Sequence, residues 1–353
     1  MLGRVFTTER IRLPSCARDL AILTAIQTFL LIFFISIFPL PRMYAWADGA
    51  EYQRIALYMV GQGDLKHGYP QAFLPGQSFI VAAFYLITGN IQYASLVTNF
   101  MFALASLFAV RFLTGNLRLS IVFVFVPYWP ILSFSTLADT AFILMELVVT
   151  LLVIRHEWDR AVLIGSLSML FRPEGLFLMI VLAILIFKKG GFQVRLLAAP
   201  AVAILAVTIW GQVAFGNPLY YLFARASAEN AVNLLFSLLA QDYSSGLLGK
   251  MKIGYMIATL IASLYTVTGC FRRYGFFHFF FLESLLLTLA HTVLSPPNIY
   301  GLAKLYPQIA PFTIIVFEQY LLKRWALVLL ILVPLSMIIA LLFWTVTWQY
   351  AVT

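Results

Sequence analysis

Seven of the chain's 14 acidic residues fall in polar interruptions between long apolar runs: Asp48, Glu51, Asp64, Asp139, Glu174, Glu229 and Asp242. Four of them, Asp48, Glu51, Asp139 and Glu174, flank short loops or the ends of apolar runs, and Arg172 precedes Glu174 in the stretch FRPEG, residues 171 to 175. Carboxylates and a guanidinium gathered in one cleft can move protons and bind hydroxyl groups or anions. The same residues also have plainer uses. Asp48 and Glu51 are three apart, so a helix would set them on one face, and Asp48 would equally cap an interfacial helix. Asp139 follows SFSTLA and suits the cap of a helix over 140–154. Arg172 and Glu174 can pair with each other across Pro173. On residue types alone these alternatives stand side by side.

Two further acids, Glu146 and Glu283, lie near the middle of apolar runs. Acids at such positions are costly and mark functional sites by default; His278 or His291 is a partner within reach for Glu283. No His or Cys cluster has zinc-ligand spacing. No glycine-rich phosphate loop, hydrolase elbow or kinase signature is present.

The elements that must position these residues are apolar helices. Of the 353 residues, 62% are hydrophobic and 10% charged, against about 25% charged in soluble domains. The solvent is therefore lipid, and the fold class expected is an all-α polytopic membrane protein in a single membrane domain. The net charge of +9 reads as basic cytoplasmic loops rather than as a nucleic-acid surface. The two cysteines, Cys16 and Cys270, both fall at predicted cytoplasmic ends, so no disulfide is expected.

Eleven spans are expected, near 20–40, 91–112, 119–135, 137–154, 161–171, 175–187, 196–215, 253–271, 276–294, 307–322 and 325–347. The first run is too long for a signal-peptide core of about 7–15 residues and reads as an anchor. An outer loop over 41–90 holds interfacial helices, among them 77–88, which at about 1.5 Å per residue reaches only about 18 Å. This scheme leaves 15 of the 23 basic residues inside and 8 outside, the bias expected of membrane proteins. Joining 161–187 into one span would strand Arg172 in lipid. The hairpin reading instead recesses the FRPEG tip below the outer surface, where irregular backbone needs protein or water around it. A polar cleft on the outer face follows.

Trp46 and Asp48 followed by Tyr52, Ile55 and Ala56, then AFLPGQS (72–78), resemble the glycosyltransferase-C superfamily, and most closely its GPI second-mannose transferase subgroup with prokaryotic relatives. That pattern reads roughly W-D-x-x-x-Y-x-x-I-A, then A-F-F-P-x-x-P. Here Ala47 separates Trp46 from Asp48, Leu74 replaces an aromatic, and Ser78 replaces the second proline. LFRPEGLFL is similar to the superfamily's R-x-E/N-G turn, AFGNPLYYLFARAS (214–227) to an aromatic loop after the seventh span, and KLYPQIAPF (304–312) to a basic-aromatic stretch opening a late span.

The resemblance implies a membrane enzyme that moves a sugar, mannose in the closest subgroup, from a polyprenyl- or dolichyl-phosphate carrier to a glycan, lipid or protein acceptor, with inversion. It implies Asp48 as catalytic base or acceptor-orienting group. Arg172, Arg225 and Lys304 would receive the phosphate leaving group, and Glu51, Asp139 and Glu174 the hydroxyls. Magnesium or manganese could sit on Asp48 with Glu51 or Asp139, and metal dependence stays open. The implied location is a plasma membrane, prokaryotic by size (the endoplasmic reticulum in a eukaryote), with the N-terminus cytoplasmic and the site outside. A transporter or lipid flippase is the competing expectation, carried by Glu146, Glu283 and the short broken helices.

Overall fold

The computed structural model describes residues 13–38, 47–68, 70–188, 194–220, 308, 310–315 and 317–351. Among them the chain is helical and contains no strand: α1 (Leu13–Ile37), α2 (Ala47–Met59), α3 (Pro75–Thr88), α4 (Ile91–Thr114), α5 (Leu117–Val124), α6 (Trp129–Phe134), α7 (Asp139–Ile154), α8 (Trp158–Ser168), α9 (Glu174–Lys188), α10 (Ala198–Phe215) and α11 (Glu318–Ala351). Among the described residues four helices are long and apolar enough to cross a membrane, over Ala17–Ile37, Ile91–Thr114, Ala198–Phe215 and Glu318–Leu341. Bands of large apolar side chains stay uncovered on them, such as Phe29 and Ile32 on α1 and Val202, Leu205 and Val213 on α10. Water would not tolerate such an area, and the protein is membrane-embedded. The expected spans 253–271 and 276–294 lie outside the described residues.

Ion pairs and ring contacts mark one end of the bundle as basic. Arg111, in the last turn of α4, pairs at 2.6 Å with Asp19 near the start of α1, so these helices run antiparallel. Arg118 lies over the Trp325 ring at 5.2 Å, which brings the start of α5 and the first turns of α11 together.

One expected span is broken. The run 119–135 reads as continuous because every position is apolar or small, yet the chain leaves the helix after Val124 and restarts at Trp129. Pro127 and Pro130 each lack an N–H for the helical ladder and disfavour helix in the residue before them. Tyr128 takes up the resulting corner with φ 69°. The restarted helix α6 is buried along its whole length. A similar adjustment falls later, where a turn at Phe317 and a non-helical Arg324 divide the region expected as 307–322 and 325–347.

The alternative of one span over 161–187 is excluded. The helix ends at Ser168, and the polypeptide turns through 169–173 and restarts as α9. The two arms pack face to face: Ala161 and Val162 share an apolar core with Leu178, Val181 and Leu182, and Gly165 lies against Met179 and Leu182. A Cβ on Gly175 would meet the Ser168 hydroxyl and the Met169 nitrogen at 2.6 Å, so the turn closes this tightly only with glycine there.

The helix expected over 77–88 forms as α3, opened by Pro75 in its first turn and closed by Gly89 in the left-handed region. Its N-terminus docks on the hairpin tip. The Gly76 N–H donates to the Leu170 carbonyl at 2.8 Å, and a Cβ at Gly76 would come within 2.7 Å of that same oxygen. Backbone cannot give way as a side chain can. Gly76→Ala is therefore expected to destabilise the fold by about 1–3 kcal/mol, the usual cost of overpacking; a detergent-solubilised melting curve checks this, and an unshifted midpoint would refute the contact.

Candidate functional site

The end of the bundle opposite the basic one gathers α2, the first turn of α3, the bend before α7 and the hairpin tip. Each arrives by a local cause. The head of α2 carries Asp48 in its first turn, where a carboxylate is favoured by the helix dipole. Asp48 is half-buried, and Tyr52, one turn on, is buried on the same face. Tyr52 packs with Ala138, Ala141 and Phe171, and its ring meets that of Phe73 edge-on at 4.9 Å. Ser78, which stands where the resembling pattern has a proline, donates its hydroxyl to the Tyr52 carbonyl at 2.9 Å. That bond ties α2 to α3 at the site.

The centre of the cluster is Arg172. Its Nε and Nη2 donate to the two oxygens of Glu174 at 3.0 and 2.6 Å, the fork-on-carboxylate geometry that arginine favours. Its Nη1 donates to Oδ1 of Asp139. The Arg172 side chain is 13% exposed and the two carboxylates 3% each, so three charges share a nearly closed space. Burial opposes the guanidinium charge, and Asp139, Glu174 and, more weakly, Tyr52 overcome it, holding its pKa well above the ordinary arginine range. The three groups carry formal charges of +1, −1 and −1.

Behind Asp139 lies a layer of neutral polar groups. Gln77 donates to Asn99 at 2.6 Å, and Asn99 donates in turn to the carbonyls of Leu132 and Leu137. Gln53, on α2, reaches the hydroxyls of Ser95 and Thr136. The two Asn99 bonds satisfy backbone carbonyls on either side of the α6–α7 bend, just before Asp139 at the head of α7.

The expected site residues thus separate. Asp139, Arg172 and Glu174 are brought into contact. Asp139 is not the N-cap of α7, a position held by Ala138; its carboxylate goes to Arg172. Asp48 heads the helix whose next turn, Tyr52, touches the Phe171 end of the hairpin tip. Glu51 is engaged elsewhere: both of its oxygens accept from Arg54 at 2.7 Å, and Arg54 also donates to the His67 carbonyl, which fastens the 61–68 loop. Arg225, Lys304 and Glu283 lie outside the described residues. Reasoning from sequence missed the Gln53, Gln77 and Asn99 network, although an asparagine inside the apolar run of α4 was a signal for it. Among the described residues no group of three or more His, Cys, Asp or Glu is placed to hold a metal ion.

No family model, curated protein or solved structure matches the chain. What the fold and site define is a class: a membrane-embedded protein, helical throughout its described residues, with a buried carboxylate–guanidinium–carboxylate cluster at the end of the bundle away from Asp19 and Arg111.

Proposed function

We propose that the protein is a membrane glycosyltransferase of the glycosyltransferase-C kind, moving a hexosyl group from a polyprenyl-phosphate carrier to an acceptor hydroxyl with inversion. The observation that carries the reading is the meeting of Tyr52, one turn after Asp48, with the FRPEG tip and the Asp139–Arg172–Glu174 cluster. In this reading Asp48 accepts the proton of the acceptor hydroxyl as its oxygen attacks the anomeric carbon. The bond to the carrier phosphate breaks on the opposite face, with positive charge building on the sugar ring.

The cluster refines the roles. Arg172 has three N–H groups committed to carboxylates, so it orients Asp139 and Glu174, and the leaving phosphate falls to Arg225 and Lys304. Asp139, held by Arg172 through Oδ1, is the carboxylate that meets a ligand hydroxyl in this reading. Glu51 acts through Arg54 on the 61–68 loop. No step above passes through a metal ion. The proposed topology has eleven spans, the N-terminus cytoplasmic and the site on the outer face of a plasma membrane.

Incubating the purified protein with a panel of polyprenyl-phosphate sugars, mannose first, tests the reading. Transfer or donor hydrolysis with at least one donor is expected; a folded preparation inert toward all of them would overturn it. A transporter is the competing function, favoured by the buried Glu146 on α7, and it would move ligand across a vesicle membrane without breaking the glycosyl phosphate.

A further inference from the structure

The stretch FGNPLY, residues 215 to 220, takes no part in the carboxylate cluster, yet its path is held bond by bond. α10 ends in the paired bonds that close a helix on a left-handed glycine. The Gly216 N–H donates to the Gln212 carbonyl at 3.1 Å and the Asn217 N–H to the Gly211 carbonyl at 3.2 Å, with Gly216 at φ 66°. The Asn217 side chain then accepts from the Leu219 N–H at 2.9 Å, and the Asn217 carbonyl from the Tyr220 N–H at 3.2 Å. This elbow folds Tyr220 back onto its own helix. A Cβ on Gly211 would collide with the Tyr220 ring and come within 2.6 Å of the Asn217 carbonyl, and the rings of Phe215 and Tyr220 lie 4.7 Å apart. Tyr220 therefore moves with α10.

Its hydroxyl reaches away from α10 and donates to the Phe73 carbonyl at 3.1 Å. Tyr220 is 2% exposed, so bulk water does not compete for this bond. Phe73 stands just before α3, and its ring is the one that meets Tyr52 of α2 edge-on. A second contact joins α10 to α2 directly: the Trp210 ring lies 6.1 Å from that of Tyr58, again edge-on. Tyr52 and Tyr58 are six residues apart, about 9 Å along α2 at about 1.5 Å per residue. α10 thus meets α2 at two levels, once ring to ring and once through Phe73, and two separated contacts resist tilt as well as displacement. Among the described residues α10 buries only Ala203 and Gly211, and the ring over Gly211 is that of Tyr220.

We propose that Tyr220 is a positioning residue for the site: its hydroxyl clamps the elbow of α10 to Phe73 and so sets the placement of the helix that carries Asp48. Its role in turnover rests on the glycosyl-transfer reading; the clamp itself does not.

Tyr220→Phe removes one oxygen and keeps the ring on Gly211. Hydrogen–deuterium exchange of the full-length protein in lipid discs reads the clamp. The Phe73 amide, held by the Pro70 carbonyl at 3.1 Å, and the amides of 47–54 are expected to exchange faster in the variant, while the 161–187 hairpin keeps its wild-type rate. Unchanged exchange at Phe73 would overturn the clamp, whatever the activity. Turnover of a polyprenyl-phosphate sugar that the wild type accepts reads the positioning. Misplacing a reacting group by about 1 Å can cost about 10²-fold, and a fall in kcat of about tenfold is expected here. The donor KM should hold, the mark of an interaction expressed only in the transition state. In an Asp48→Asn background the same change should cost little more, because residues that act as one unit are not additive. A kcat unmoved by Tyr220→Phe, or the full fall repeated on top of Asp48→Asn, would overturn the positioning role. A wild type inert toward every donor would sink the glycosyl-transfer reading and the positioning role with it, while the exchange result still decides the clamp.

Discussion

Replacing Arg172 by glutamine is expected to unfold the acidic end of the bundle before it affects any chemistry. Removing one partner of a buried ion pair costs about 3–5 kcal/mol, and Arg172 serves two carboxylates, each 3% exposed. The shorter glutamine side chain would offer Glu174 one amide in place of a two-pronged fork. The melting midpoint in detergent should fall sharply, or the variant should fail to accumulate. Arg172→Lys keeps the charge without the fork and should lie between. The decisive variant removes all three charges: Arg172→Met with Asp139→Leu and Glu174→Leu. Apolar replacements of a whole buried network are often neutral or stabilising, so this protein should recover much of its melting midpoint while remaining inactive. If Arg172→Gln melts like the wild type, the cluster is not the closed, mutually dependent unit described above.

Asp48→Asn is expected to do the opposite, leaving the fold intact and removing turnover. Asp48 is half-buried in a first helical turn, where asparagine keeps the size and much of the polarity. A positioned general base contributes about 10²–10⁴-fold, so the transfer rate should fall by that factor while binding of the lipid-linked donor, measured separately, holds. Loss of binding in step with turnover would make Asp48 a ligand group instead of a base. Unchanged turnover would remove it from the mechanism.

How far these residues could be read in advance depended on the range of the contact involved. The hairpin was readable because its arms are short and Pro173 with Gly175 breaks the helix locally. The helix at Asp48 was readable for a similar reason: Asp48 and Glu51, three apart, fit one helix face with an acidic residue at its start. The break between α5 and α6 was hidden by composition, since an all-apolar stretch carries no periodicity to interrupt, and only its prolines spoke against a continuous span. The reach of Arg172 across 33 residues to Asp139 left no trace in either local sequence, because FRPEG is already self-sufficient with its own Glu174. The clasp of Arg54 on Glu51 was local in sequence, yet its purpose lay in the His67 carbonyl 13 residues away. Local signals therefore set which residues were available, and packing decided which of them met.

The backbone bond from Gly76 to Leu170 has a mechanical consequence. Phe79, Leu86 and Ile87 of α3 are among the most uncovered large side chains of the described residues, so one face of this helix meets whatever medium surrounds the bundle while Val81 and Ala82 pack on α2 and α4. Its other end is bolted to the residue two before Arg172. Lateral pressure or a change in acyl-chain length acting on α3 is thereby delivered as a pull on the hairpin tip, and the lipid that wets the protein becomes one of the settings of its carboxylate cluster.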